Sequence, residues 1–373
     1  MITVLIVEDS RVVSEYLYYI LSKDPQIQVI GNVSNGKKAI EFLKDHKPDV
    51  ISMDIDMPIM DGLEATQIIM STTPVPILIV TASRNANEVA TTMEALAAGA
   101  LGVIEKPVGV GHPNEKKLSD ELLMMIKLMA EVKVVSRKPK AQPGVKPRVS
   151  AVQPEPGMKP RVKTRESKRI PWQDHGLLNV VAIGVSSGGP QVLHQVFSKL
   201  SNSFPLPILV VQHITEGFLS GLVNWLGKTT SIPIHVAVEG DHLMAGHIYF
   251  APDNYQMGIS KKGTITLEDR SDKKGLCPSV AHLFESVTRE FGKSAMGIIL
   301  TGMGSDGAKE LKLMRDAGGL TIAQDKESSL IYGMPGVAAQ LDAASYILSA
   351  TEISQLLFEI ETTNNKQQTT NNK

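Results

Sequence analysis

The chain has 373 residues but only one cysteine, Cys277, which excludes a disulfide framework and fits a reducing compartment. Aromatic residues make up 5% of it, and none interleaves with its one strongly basic stretch, so little argues for a nucleic-acid partner. No apolar run approaches the length of a membrane span. Met1 to Val7 runs straight into Glu8-Asp9 with neither a basic start nor a small-residue cleavage site. A signal peptide and direct membrane insertion are therefore not expected, and the expected location is the cytoplasm.

What is present is ordinary globular composition, 42% hydrophobic and 21% charged, in a length that suggests two or three domains. The net charge of −1 conceals a segregation. Between Lys133 and Pro171 stand 12 Lys/Arg against 2 Asp/Glu, with seven prolines and almost no apolar periodicity. Such a segment reads as an extended linker. The tail after Glu361 is low-complexity Thr/Asn/Gln/Lys and is expected to be disordered. The division expected is 1–130 for a first domain, 131–175 for a flexible linker, 176–361 for a second domain and 362–373 for the tail.

In the first segment, apolar runs at Thr3–Val7, Ile27–Val33, Val50–Met53, Ile77–Val80 and Leu101–Ile104 alternate with helical patterns. Five β-α repeats imply a doubly wound α/β domain, (βα)5, with a parallel sheet. Sites in such sheets form at the carboxyl ends of the strands. Glu8 and Asp9 follow the first strand, Asp54 the third, Thr81 the fourth and Lys106 the fifth. Three converging carboxylates repel one another unless a cation lies between them, and an all-oxygen set suits Mg²⁺. A carboxylate beside Mg²⁺ and a lysine can act as a nucleophile toward a phosphoryl donor.

That constellation, with Asp54-Ile55-Asp56-Met57-Pro58-Ile59-Met60-Asp61-Gly62 and Lys106-Pro107, resembles the receiver domain of two-component response regulators. The resemblance implies Asp54 as phosphoacceptor, Glu8, Asp9 and Asp54 as Mg²⁺ ligands, and Thr81 and Lys106 as the residues that sense the phosphoryl group. One position departs: the family usually carries an aromatic three places before the lysine, and here stands Val103.

In the second segment, the run Val180–Ile183 leads into Gly184-Val185-Ser186-Ser187-Gly188-Gly189-Pro190, and a helical pattern follows. A serine on a glycine-lined strand-to-helix turn is the context in which a hydroxyl is presented as a nucleophile. The strand Ile208–Gln212 ends at His213. The run Ala295–Leu300 enters Thr301-Gly302-Met303-Gly304-Ser305-Asp306-Gly307. Three strands of an α/β, mainly parallel sheet would thus end in Ser, His and Asp. Ser186 would attack a carbonyl carbon, His213 would carry the proton, and Asp306 would fix the imidazole. Backbone N–H groups around glycines 188, 189, 302 and 304 are suitable oxyanion donors. Spacing does not separate Ser186 from Ser187. The glycine turn could instead cradle a phosphate, but it lacks a P-loop lysine. The order Ser…His…Asp departs from that of α/β-hydrolases. His194, His235, His242, His247 and His282 are rival histidines without a strand-end glycine context.

With the receiver in front, Ile183 to Gly189, Gln212-His213, Leu300 to Ala308 and Gly333-Met334-Pro335 give a resemblance to the chemotaxis protein-glutamate methylesterases. It implies Ser186 as nucleophile, His213 as base, Asp306 as its partner, the Met303 amide as oxyanion donor and Ser187 in the same pocket. It implies hydrolysis of glutamate γ-methyl esters on cytoplasmic chemoreceptor helices, deamidation of receptor glutamines, and phosphorylation by a chemotaxis histidine kinase. No cofactor is implied in the second domain. Apolar residues around Met334 and Tyr332 are expected to help receive the substrate helix. The unphosphorylated receiver is expected to pack over the Ser186 pocket.

Overall fold

Short apolar runs punctuated by amphipathic helices build the first sheet. Strands β1 (Ile2–Val7), β2 (Ile27–Val33), β3 (Val50–Met53), β4 (Ile77–Thr81) and β5 (Gly102–Glu105) stand in the order β2-β1-β3-β4-β5. Every neighbouring pair is parallel. β3 and β4 are buried along their whole length, as strands covered on both faces must be. Helices α1 (Arg11–Ser22) and α5 (Glu115–Ala130) pack on one face. The helices α2 (Gly36–Phe42), α3 (Gly62–Thr72) and α4 (Ala86–Ala98) pack on the other. The winding reverses at β1, with β2 on one side and β3 on the other, so a crevice opens above their carboxyl ends.

This computed structural model describes residues 1–82, 86–109, 111–132, 134, 177–270 and 275–371. The linker expected at 131–175 lies almost wholly outside the described residues.

The second sheet is larger and also entirely parallel. Its strands are β6 (Val180–Val185), β7 (Ile208–Gln212), β8 (Ile234–Val236), β9 (Ile248–Phe250), β12 (Ala295–Ile299), β13 (Leu320–Gln324) and β14 (Tyr346–Leu348). They stand in the order β14-β13-β12-β6-β7-β9-β8. Strands β10 (Tyr255–Ile259) and β11 (Ile265–Asp269) form a separate antiparallel pair. Helices α6 (Gly189–Phe197), α7 (Leu219–Thr229) and α11 (Ala350–Asn371) cover one face. The opposite face carries α8 (Val280–Phe291), α9 (Ala308–Asp316) and α10 (Met334–Gln340). Here too the winding reverses at the first strand: β7 lies on one side of β6 and β12 on the other.

Two features differ from expectation. Helix α11 runs on through Asn371, where a disordered tail from 362 was expected. Its buried Ile353, Leu356, Leu357 and Ile360 anchor the first turns, and no proline or glycine beyond them stops the helix. Met334, expected at the substrate surface, is completely buried. It packs beneath Gly302, where an added Cβ would meet its sulfur at 2.6 Å. Tyr332 is half-buried.

The two sheets meet through α4, which lies against α6 and α7. Gln191 on α6 donates from Nε2 to the carbonyls of Leu96 and Ala100, both at 2.7 Å. Leu96 lies in the last turn of α4 and Ala100 in the turn that follows it, where carbonyls run short of intrahelical donors. At α7 the helices approach so closely that a Cβ on Gly221 would stand 2.1 Å from Val89 Cγ1. Apolar burial is continuous across this seam. No helix among the described residues is long and apolar enough to cross a membrane.

Candidate active site

Adjacent strands lie about 4.8 Å apart, so the ends of β12, β6 and β7 converge by construction. Ser186 follows β6, His213 follows β7, and the loop Thr301–Gly307 follows β12. The serine turn is tied down on both sides. Ser186 N donates to Thr301 O at 3.0 Å, and Gly189 N donates to Ser186 O at 2.8 Å. Gly188 sits at φ +80°, a left-handed conformation that glycine adopts without a Cβ penalty. The helix α6 starts immediately after it. Ser186 is buried to 9% exposure, and Ser187 is half-buried.

Two side chains without an assigned role in the sequence stitch this corner together. Gln212 Nε2 donates to Ser186 O at 2.9 Å and to His213 O at 2.8 Å, linking the turns that carry the two residues. Thr301 Oγ1 donates to Ser187 O at 3.0 Å and accepts from Ile331 N at 2.9 Å. Both lie within motifs legible in the sequence, but only tertiary packing shows what they hold.

His213 Nε2 lies 3.0 Å from Asp306 Oδ2. The two groups are in close contact, outside the geometry of a well-aligned hydrogen bond. Asp306 is otherwise fully engaged. It accepts from Ser279 Oγ at 2.9 Å, Val280 N at 2.6 Å and Ala281 N at 3.1 Å. Burial alone would raise its pKa; the contacts with His213 and the two amides outweigh burial and lower it. The carboxylate is therefore held ionised at the N-terminus of α8, where amide donors and the helix dipole favour an anion.

Ser186, Ser187, His213 and Met303 share one cavity of about 560 Å³. Its other wall comes from β5 and α5 and includes Val103, Glu105, Lys117 and Glu121. The position lacking the expected aromatic thus faces the Ser186 cavity. Of the rival histidines, His194 is tilted against Trp225 and His235 pairs with His247 at 2.8 Å; none of the five lines this cavity.

The crevice of the first sheet gathers the predicted polar set. One oxygen each of Glu8, Asp9 and Asp54 lies within 4.8 Å of the others. Lys106 Nζ stands 2.8 Å from Asp54 Oδ2 and 2.9 Å from Glu8 Oε2. Burial raises the pKa of both Glu8 and Asp54 against the opposing pull of Lys106. For Lys106, burial is outweighed by the two carboxylates, and its pKa is raised. Two buried carboxylates and a third at the rim form an oxygen-only set with more negative charge than one lysine offsets. That donor chemistry fits a hard divalent cation. Thr81 is buried at the end of β4, opposite Glu105, and its carbonyl accepts from Lys106 N at 2.9 Å.

Comparison with known proteins places this architecture. Residues 4–114 match the response regulator receiver domain, and residues 181–357 match CheB methylesterase. A protein-glutamate methylesterase/protein-glutamine glutaminase of Nitrosospira multiformis is 44% identical over 96% of each chain. The chain belongs to the CheB methylesterase family. A second relative of the same description, from Syntrophus aciditrophicus, is 45% identical over 96% of this chain and 98% of its own. The Thermotoga maritima CheB methylesterase catalytic domain is 33% identical, covering 49% of this chain and 98% of that one, with a TM-score of 0.47. Membership joins a receiver to a methylesterase domain on one polypeptide, as the two sheets had indicated.

Proposed function

We propose that this chain is a phosphorylation-regulated protein-glutamate methylesterase that also deamidates glutamines, acting on cytoplasmic helices of chemoreceptors. The observation that carries the reading is the convergence of Ser186, His213 and Asp306 at the ends of three adjacent parallel strands, in a family whose curated relatives bear that activity in their names.

The chemistry follows from the geometry. Ser186 Oγ attacks the ester carbonyl while His213 takes its proton. With Nε2 against Asp306, Nδ1 is the nitrogen left for that proton. The negative charge that develops on the carbonyl oxygen is met by the Met303 amide and the Gly188 amide, Gly189 N being committed to Ser186 O. The imidazolium, stabilised by the ionised Asp306, returns the proton to methoxide, and methanol leaves. Water then attacks the acyl-enzyme by the same route and releases the glutamate carboxylate. With a glutamine substrate, ammonia leaves in place of methanol. Ser187 stands in the pocket beside the reacting carbonyl.

In the receiver, Glu8, Asp9 and Asp54 hold Mg²⁺, which supplies charge compensation for an incoming phosphoryl group. Asp54 is the acceptor, and a histidine kinase is the donor. Lys106, now paired with Glu8 and Asp54, and Thr81 contact the phosphoryl oxygens. The receiver wall over the Ser186 cavity keeps a receptor helix out until α4 leaves α6 and α7. The domains are taken as 1–130 and 176–361, the limits expected from the sequence.

The test is methanol release from methylated receptor membranes by wild type and Ser186→Ala, each with phosphodonor and Mg²⁺. Release that persists at the wild-type rate in Ser186→Ala would refute the assignment of the nucleophile.

A further inference from the structure

Asp306 is held by a residue that the reaction scheme does not yet use. Ser279 precedes α8 and has two tasks. Its Oγ accepts from His282 N, capping the helix, and donates to Asp306 Oδ1 at 2.9 Å. It is itself fixed from behind. Gln256, exposed by only 6%, accepts from Ser279 N at 2.8 Å and donates from Nε2 to Leu276 O at 2.8 Å. The chain 276–279 is thus clamped to β10, and the hydroxyl reaches Asp306 from a prepared position.

We infer that Ser279 is a positioning residue of the reaction, acting through Asp306 on the imidazole of His213. Val280 N and Ala281 N also bond the carboxylate, but each is a backbone donor fixed by the helix. Ser279 supplies the only side-chain hydroxyl among these three donors. Its hydrogen bond sets the carboxylate's rotation, and with it the oxygen that faces Nε2. Residues acting as such a unit are non-additive when mutated, because each acts through the next. This inference rests on the triad reading above and deepens it.

The measurement is the rate of Ser186 labelling by a fluorophosphonate probe in the full-length, phosphodonor-treated protein, alongside kcat and KM for methanol release. The labelling readout needs an activated serine but not the receptor, so it separates failure of this inference from failure of the substrate assignment. Ser279→Ala is expected to slow labelling and kcat roughly tenfold or more, the range for a hydrogen bond to a charged group, with KM unchanged. Ser279→Thr keeps the hydroxyl and should restore the rate. Ser279→Asp retains a good helix cap but offers Asp306 no donor, so it should be slow while thermal unfolding shows α8 intact. In an Asp306→Asn background, all three substitutions should become nearly silent. Equal rates for wild type and Ser279→Asp would overturn the inference. So would a Ser279→Ala loss of undiminished size in the Asp306→Asn background, since a structural defect would add independently.

Discussion

The receiver crevice and the methylesterase crevice are built alike and furnish their aspartates differently. Each lies where a parallel sheet reverses its winding, at the carboxyl end of its first strand, and each presents an aspartate. Around Asp54 the neighbours are Glu8, Asp9 and a single Lys106. Burial there pushes the pKa of Asp54 up. Around Asp306 the neighbours are a hydroxyl, two amides at a helix start and an imidazole, and its pKa goes down. The same side chain is crowded by like charge in one site and supplied with hydrogen-bond donors in the other. The first arrangement suits a cation; the second holds a carboxylate beside an imidazole. Architecture decides where a site forms, and the local supply of donors decides what it does.

The comparison can be broken most severely within the triad. Ser186→Ala or His213→Gln should lower phosphodonor-stimulated methanol release by about 10⁴-fold or more, and Asp306→Asn by roughly 10³- to 10⁴-fold. A loss below tenfold in any of the three would remove that residue from the mechanism.

The two aspartates should also respond in opposite directions to the same neutral substitution. In metal-free protein, Asp54→Asn relieves a buried, crowded carboxylate and should stabilise the receiver by on the order of 1 kcal/mol. Asp306→Asn should destabilise the second domain by about 1–3 kcal/mol, because amide donors aimed at an anion lose it. Denaturant unfolding followed for each domain reads both signs, and Mg²⁺ should erase or reverse the advantage of Asp54→Asn. Two changes of the same sign would contradict the electrostatic contrast.

Smaller effects are expected at the seam between the domains. Gln191→Ala removes both hydrogen bonds to Leu96 and Ala100 and should raise unphosphorylated methanol release by roughly thirtyfold, given roughly 1 kcal/mol per bond. Gly221→Val would run into Val89 and should act in the same direction. An unchanged basal rate in both would mean that α4 is not what holds the cavity closed.

Much of this could be read from the sequence, and the exceptions have physical causes. Most receiver strands and the runs β6, β7 and β12 are short apolar stretches flanked by turns, so their existence along the chain is legible. So are the residues at their ends. The strands β8, β9 and β14 have three residues each, too short for a period-2 signal. Helix α8 carried a readable signature, Ser279 as cap with Val280, Leu283, Phe284 and Val287 on one face, but no function drew attention to it. Its contact with Asp306 joins positions 27 apart and arises only when α8 packs on the sheet. Met334 shows the converse error: a residue beside a motif was read as surface, while the close approach of Gly302 requires it to be core.

In the proposed mechanism a receiver over the cavity restrains a complete esterase site until Asp54 is phosphorylated. That restraint is tested most directly by the rate of methanol release from methylated receptors by the full-length protein before and after addition of a small phosphodonor with Mg²⁺, in wild type and in Asp54→Asn. A rise of roughly thirtyfold is expected in wild type, the size of releasing the two Gln191 bonds at roughly 1 kcal/mol each, with no response in Asp54→Asn. A wild-type protein that is already at its full rate without phosphodonor would contradict it.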